Sequence, residues 1–470
     1  MYMSLKMRLL LVFFMLALVA VSKSAHSVEL KTKGELKMNA NFWNNMNFTS
    51  NPGGIPKNDI TTYESSVLWE RLRIDFNFIA NSNLKAYVQF EIGEFAWGSE
   101  EGAFDTDEVA IEVPRSMLQF TWPNTNIDFS VGKFELVVPA SSYFTGSAIF
   151  DENITAALIA IPITEEVSAV LNYARALDAD VAETGKQYDD DFDFVLLSFP
   201  ITQEGVSVTP FFIYSWLGKN CINRTIEVKT KSASDMAGML SAVGSQTGRY
   251  ESSMVHPWWA GASFEANDLL APFALYFDFN YGHLDDSNSR NDRKGWFTDI
   301  AIEYRGWDWF VPSLFFAYGS GMDSDINNGD ERMPYLDEDW DAGTSWTGNS
   351  PTLKSDLNTH PMGAWYLGAK LAQISFMDKL SHDLIFAYYH GTNHQDMAPY
   401  LKYANDLTTE DSVMEVDLYS NYAIFNELTA IVELGVLFPD YDKATWKKSA
   451  PAADEQKTAW KVVVGLKYLF

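Results

Sequence analysis

The sequence predicts an all-β chain: a transmembrane antiparallel β-barrel of about 18 strands, with 16 as the alternative count. It also predicts long outer loops, one of them folded into the lumen. Three observations carry this. Oily and polar residues alternate with a period of two in segment after segment, the signature of strands with one oily and one polar face. Connections alternate between short turns and long polar loops, as they do around a barrel that crosses a membrane. The last thirteen residues, Thr458 to Phe470, set Trp460, Val462, Val464, Leu466, Tyr468 and Phe470 on one face and Lys461, Gly465 and Lys467 on the other. Such a final strand suits a closed barrel, because the last strand must pair with the first to abolish the sheet edge.

Met1 to Ser27 reads as a secretory signal. Lys6 and Arg8 precede the apolar run Leu9 to Val21, and Ala25-His26-Ser27 offers small residues for cleavage. That run is shorter than the roughly 20 residues a membrane helix needs. Residues 28–470 then form the barrel domain. Cys221 is the only cysteine, so the domain has no internal disulfide. A net charge of −29 argues against a nucleic-acid partner, which requires clustered Lys and Arg. It favours a surface that attracts cations.

Strands are expected near 30–43, 67–79, 84–93, 115–122, 127–137, 153–161, 166–175, 191–199 and 206–216. Nine more follow near 258–266, 273–282, 296–304, 310–319, 363–372, 380–392, 412–422, 428–437 and 458–470. The pair 153–161 and 166–175 is the weakest; without it the count falls to 16. Both chain ends lie on the short-turn side, which excludes an odd number. Pro123–Asn126, Pro200–Gly205, Asp268–Pro272, Arg305–Trp309 and Ala423–Glu427 are the short turns. Gly218–Pro257, Ser320–Pro361, His394–Asp411 and Phe438–Lys457 are the long loops.

Lipid accepts Leu, Val, Phe and Trp but disfavours Lys or Arg at mid-depth by roughly 2–4 kcal/mol. The charged set, including Lys31, Lys33, Arg71, Arg73, Lys85, Glu91, Asp278, Glu303, Asp417 and Glu433, must therefore face inward. At 16 to 18 strands the interior is too wide for side chains to fill, so a water-filled lumen is expected. Trp122, Trp307, Trp309, Phe425 and Phe470 near the short turns, and Trp43, Trp216, Trp258 and Trp296 near the long loops, are the expected aromatic girdles.

The connection after strand 127–137 is less polar than the other outer loops and carries Asp151 and Glu152. The strands before it carry Arg71, Arg73, Lys85, Arg115 and Lys133, with Val131-Gly132-Lys133 near the end of the fifth. This arrangement resembles general-diffusion porins, whose loop after the fifth strand folds into the lumen with its acids facing a basic wall, and the resemblance implies that these seven charged residues are the candidate constriction. In loop Ser320–Trp346, Asp323, Asp325 and Asp330 follow a spacing partly like a calcium loop. The glycine comes one position late and Pro334 stands where the closing Glu belongs, so this is no EF-hand. A solvated acidic loop is the expected reading, with loosely held calcium the only cofactor considered and no metal otherwise. No catalytic arrangement stands out, so no enzyme is expected.

The terminal strand, with Tyr468 and Phe470, resembles the last strand of Gram-negative outer-membrane barrels, an assembly signal in that group. Along nearly the whole mature chain the pattern resembles the general-diffusion porins, and most closely the homotrimeric porins of sulphate-reducing bacteria and their relatives. The Pro-Glu-Phe-Gly-Gly-Asp type constriction signature of porins is missing here. The resemblance implies a passive diffusion channel for ions and small hydrophilic solutes in the cell outer membrane, weakly cation-selective given the net charge. It implies homotrimers, contact with outer-membrane lipid and lipopolysaccharide, and insertion by the barrel assembly machinery. The alternative is a substrate-specific channel, for sugars for example, where inward aromatics such as Tyr87, Phe211, Tyr276 and Phe315 would serve. A barrel enzyme is less favoured, since such barrels are smaller and need a catalytic His.

Overall fold

The computed structural model describes residues 28–49, 64–98, 102–103, 109–178, 191–218, 221, 240, 251–348, 359–450 and 454–470. The signal segment 1–27 and most of the loop 218–257 lie outside the described residues.

Eighteen barrel strands run in chain order among the described residues. They are β1 (Glu29–Asn44), β2 (Glu64–Asn81), β3 (Leu84–Ala96), β4 (Ile111–Thr121), β5 (Asp128–Val137) and β6 (Asp151–Pro162). Next come β7 (Ser168–Asp178), β8 (Asp191–Ser198, continued by Ile201–Gln203), β9 (Val206–Gly218), β10 (Trp258–Ala266, preceded by the short Met254–Val255), β11 (Phe273–Leu284) and β12 (Arg293–Tyr304). The last are β13 (Val311–Gly319), β14 (Ala364–Met377), β15 (Leu380–Gly391), β16 (Ser412–Ala423), β17 (Leu428–Asp440) and β18 (Ala459–Leu469). Each pairs antiparallel with its neighbours, and β1 pairs with both β2 and β18, so the sheet closes on itself. The weakest expected pair is present as β6 and β7, which settles the count at 18.

The period-two alternation has the assigned sense. On β18, Trp460, Val464, Leu466 and Tyr468 are exposed, while Ala459, Lys461 and Val463 are buried. On β1, Leu30 and Phe42 are exposed, whereas Asn39 and Asn41 are buried. The backbone ladder satisfies every strand against its neighbour, the condition for crossing hydrocarbon. Trp122, Trp307, Trp309, Phe425 and Phe470 are exposed near the short turns, and Trp216 and Trp296 near the long loops. Trp43 departs from the girdle expectation: it is 6 % exposed, because odd-numbered β1 residues face inward.

The interior is not the open bore that the inward charges suggested. Two connections enter it. Residues 138–150, between β5 and β6, and residues 320–348, between β13 and β14, pair as a ribbon, antiparallel at Thr145–Asp341 and parallel at Phe150–Asp337. Thr145 and Asp341 exchange backbone hydrogen bonds at 3.0 Å each way. Asp339 N donates to Ser147 O, Leu336 N to Ile149 O, and Asp151 N to Asp337 O. In loop 320–348 only the tip around Asp323 to Asn328 is a solvated acidic loop; most of the rest is buried. Trp346 is 1 % exposed and Asp330 and Asp341 are each 2 % exposed. Its apolar residues, Met333, Leu336, Trp340 and Trp346, join the buried cluster inside the barrel, and their burial outweighs the solvation of its acids.

Candidate constriction and lumen wall

Residues 138–150 are fastened to walls far from β5 and β6. Ser141, at the near end of residues 138–150, donates its N–H (2.9 Å) and its hydroxyl (2.6 Å) to the Asp278 carboxylate on β11. Ser142 N–H donates to Glu265 on β10 at 2.6 Å. Tyr143 and Ser313 on β13 share a hydroxyl–hydroxyl bond of 2.7 Å. Beneath these polar ties, Tyr143 packs on Tyr276 and Phe144 packs on Phe315 and Trp340, with ring centroids 4.9 to 6.0 Å apart. The inward aromatics Tyr276 and Phe315 thus hold a loop against the wall instead of forming a slide for sugars.

The second strand of the ribbon is tied on two sides. Trp340 Nε1 donates to Asp299 on β12 at 2.8 Å. Ser345 N–H donates to Glu415 and its hydroxyl to Asp417, both on β16 and both at 2.7 Å. Buried carboxylates normally need several donors, and these loop groups supply them. Inward Glu433 and Lys461 face each other at 3.5 Å, with no exposed side-chain surface. This part of the wall is packed, not wet. In the outer loops, Arg332 bridges Asp330 (2.9 Å) and Asp406 (3.5 Å), and His360 also reaches Asp406. Burial alone would raise the Asp406 carboxyl, but His360 and Arg332 hold it down to about 2.

An open space follows the wall at β1 and from β3 to β8. A cavity of about 550 Å³ is lined by Lys33, Tyr87, Arg115, Gln119 and Ser130 on one side. Phe134, Leu136, Leu158, Val170 and Leu196 line the other. The register brings inward charges into rows. Lys33 stands opposite Asp75 and Gln89 opposite Arg115, and Glu35 lies between Leu469 and Arg73. Lys33 pairs with Asp75 at 3.4 Å, and Asp75 also accepts from Tyr87 (2.5 Å) and Gln89 (2.7 Å).

The seven candidate residues do not converge. Arg71 pairs with Glu35 and Glu94, and Arg73 with Glu91, all on the lumen wall. Arg115 bridges Glu135 at 2.7 Å and Asn153 at 2.8 Å, linking β4 to β5 and β6. Asp151 opens β6 and takes part in the ribbon, whereas exposed Glu152 accepts only from the N–H of Asn153. Lys85 sits beside the short turn after Asn81, at the foot of the barrel. Lys133 shares a strand face with exposed Val131, opposite buried Phe134 and Leu136. The sequence put it with the basic wall through its likeness to the glycine–basic pair of porins, although the period of two within strand 127–137 sets it beside Val131. None of these basic residues pairs with Asp151 or Glu152.

Of the calcium candidates, Asp323 and Asp325 accept hydrogen bonds within their own turn, and Asp330 is taken by Arg332. Among the described residues no three His, Cys, Asp or Glu side chains gather as a metal site. Glu35, Glu94, Asp278, Asp299 and Glu415 were missed as constriction residues. Strand parity placed such acids inward, but nothing local reveals which distant loop they hold.

No family model matches the chain, and no curated protein matches it. Solved structures do. OccK8 (OprE) of Pseudomonas aeruginosa superposes with a TM-score of 0.51 at 8 % identity, covering 94 % of this chain and 98 % of that one. OccAB4 of Acinetobacter baumannii gives 0.49 at 8 % identity, covering 95 % and 100 %. OmpT of Vibrio cholerae, an outer membrane protein solved in a trimer form, gives 0.40 at 12 % identity, covering 94 % and 99 %. The finer resemblance to porins of sulphate-reducing bacteria finds no support in these likenesses. At such identities they show the fold alone, and the fold is an eighteen-strand antiparallel barrel of the outer-membrane kind.

Proposed function

We propose that this protein is a substrate-selective channel of the outer membrane, passing small hydrophilic solutes along a narrow charged lane rather than through a broad sieve. The observation that supports this is the ribbon of residues 138–150 and 320–348. It is tied by Ser141, Trp340 and Ser345 to β11, β12 and β16, and a cavity of about 550 Å³ remains beside β1 and β3 to β8. A passage bounded by fixed donors and acceptors discriminates by chemistry as well as by size. Catalysis forms no part of this reading. Export through the segment 1–27, assembly into homotrimers, contact with lipopolysaccharide and insertion by the barrel assembly machinery belong to it.

The expectation of cation preference rested on the charge of the whole chain. Many of the acids lie in outer loops or inside the ribbon, so the lane has its own charge balance. Planar-bilayer recording of the purified barrel tests the proposal. Small steps that saturate with one solute class support it. Large ohmic steps indifferent to solute identity would return the protein to the general-diffusion reading.

A further inference from the structure

The cavity beside the ribbon holds a buried polar side chain whose oxygen has no hydrogen-bond partner. Asn172 on β7 lines the cavity and stands directly opposite Leu158 on β6 and Leu196 on β8. It is 2 % exposed, and its Oδ1 accepts no hydrogen bond among the described residues. An amide buried in this way loses its water and gains nothing in return, and native proteins hold few such groups. Ser198, diagonally across from Asn172 on β8, lines the same cavity.

The register arranges the cavity around that amide. Gln119 on β4 stands opposite Ser130 on β5, Ser130 opposite Leu158, and Leu158 opposite Asn172, all on the inward face. One row across four strands therefore reads polar, polar, apolar, polar. Asn172 and Ser130 are two strands apart, about 10 Å at the usual strand spacing, with the oily surface of Leu158 between them. Val170 and Met117 extend that oily surface. The charges of this cavity are already matched. Lys33 is taken by Asp75, and Arg115 by Glu135 and Asn153. What remains to recognise a solute is neutral: amides, hydroxyls and aliphatic carbon.

We infer that this cavity is a binding station for an uncharged heterocycle with a donor and an acceptor side by side on its edge, as in a nucleoside. The inference rests on the channel reading and specifies its solute class. The Asn172 amide offers an N–H donor and a carbonyl acceptor in one plane, which a nucleobase edge meets with two hydrogen bonds. The ring face lies on Leu158, and the sugar hydroxyls reach Ser130 and Gln119. Covering the ring with aliphatic side chains removes apolar surface from water. Only neutral bonds hold the solute, so it can leave again, as conduction requires.

Bilayer recording with uridine tests this, with 3-methyluridine and ribose as controls. The added methyl removes the edge N–H and leaves ring and sugar in place. Uridine should reduce the current saturably, and both controls should need at least about fivefold more for half-block, the scale of one hydrogen bond. Asn172→Leu removes the amide and keeps an inward side chain of similar size. It should lose the preference for uridine over 3-methyluridine. Its conductance and its thermal midpoint in detergent should stay at or above those of the wild type, which a merely structural asparagine would not allow. A conducting wild type that uridine does not block, or that either control blocks equally well, overturns the station and leaves the channel standing. So does an Asn172→Leu barrel that keeps the preference. A wild-type barrel that carries no current overturns the channel and the station together.

Discussion

Ser141 gives both its backbone N–H and its hydroxyl to one carboxylate, Asp278, from a loop that leaves the barrel wall six strands away. That pair sets where the inner loop lies. Asp278→Ala removes the acceptor and leaves a buried N–H unsatisfied, at a cost of about 1–3 kcal/mol. Single-channel conductance should rise and become noisier as residues 138–150 lose their seat. Asp278→Asn keeps one carbonyl oxygen for the N–H and should give a smaller change.

Gly146 has φ +70, and a Cβ there would come within 2.0 Å of the Asp339 carbonyl oxygen, which belongs to backbone and cannot step aside. Gly146→Val should split the ribbon where it crosses the lumen. Limited proteolysis should then cut within 320–348 faster than in the wild type, while the barrel keeps its far-ultraviolet strand signature.

The outer-loop cluster of Arg332, Asp330, Asp406 and His360 carries a pH dependence of definite sign. Asp406 is held down to about 2 in the folded protein, against an ordinary carboxylate near 3.9. Its contribution of about 2 kcal/mol is therefore present above pH 4 and is lost as pH falls from about 4 toward 2. Tryptophan fluorescence followed through that window should show the loops loosening. Asp406→Asn should already be loosened at pH 7 and should respond less to acid.

Trp340 Nε1 donates to Asp299, which is buried on β12. Trp340→Phe keeps the rings packed against Phe144 and Phe297 but removes the donor. We expect a loss of about 1–3 kcal/mol in the hold on residues 320–348. Thermal unfolding in detergent should show a smaller separate loop transition, with little effect on the barrel itself.

The wall was legible in the sequence because a strand shows itself over ten residues. Trp460, Val464 and Leu466 against Lys461 and Gly465 need no distant partner to be read. The lumen contents were not legible for the opposite reason. Asp330 to Asp341 look like solvated acids to any local reading, and only contact with Asp299 and Glu415, 41 and 70 residues away from Trp340 and Ser345, buries that part of the loop. A usable signal was present in Leu336, Trp340 and Trp346, which are too oily for an exposed loop. Lys133 was misplaced by a local motif, Gly132-Lys133, although the period of two would have set it beside Val131. Arg71 and Arg73 were placed on the correct wall, but their partners Glu35, Glu91 and Glu94 were not chosen.

Gly34 and Phe470 exchange backbone hydrogen bonds of 2.8 and 3.1 Å, and the Phe470 ring covers the space where a Gly34 side chain would stand. The cylinder is thus sealed by contacts between residues at opposite ends of the polypeptide. Contacts of such high sequence separation form late and slowly, because most of the chain must be ordered before they yield any gain. Until then two unsatisfied strand edges invite pairing with other chains. A chain whose two edges stay apart from strangers until they find each other should therefore close most efficiently.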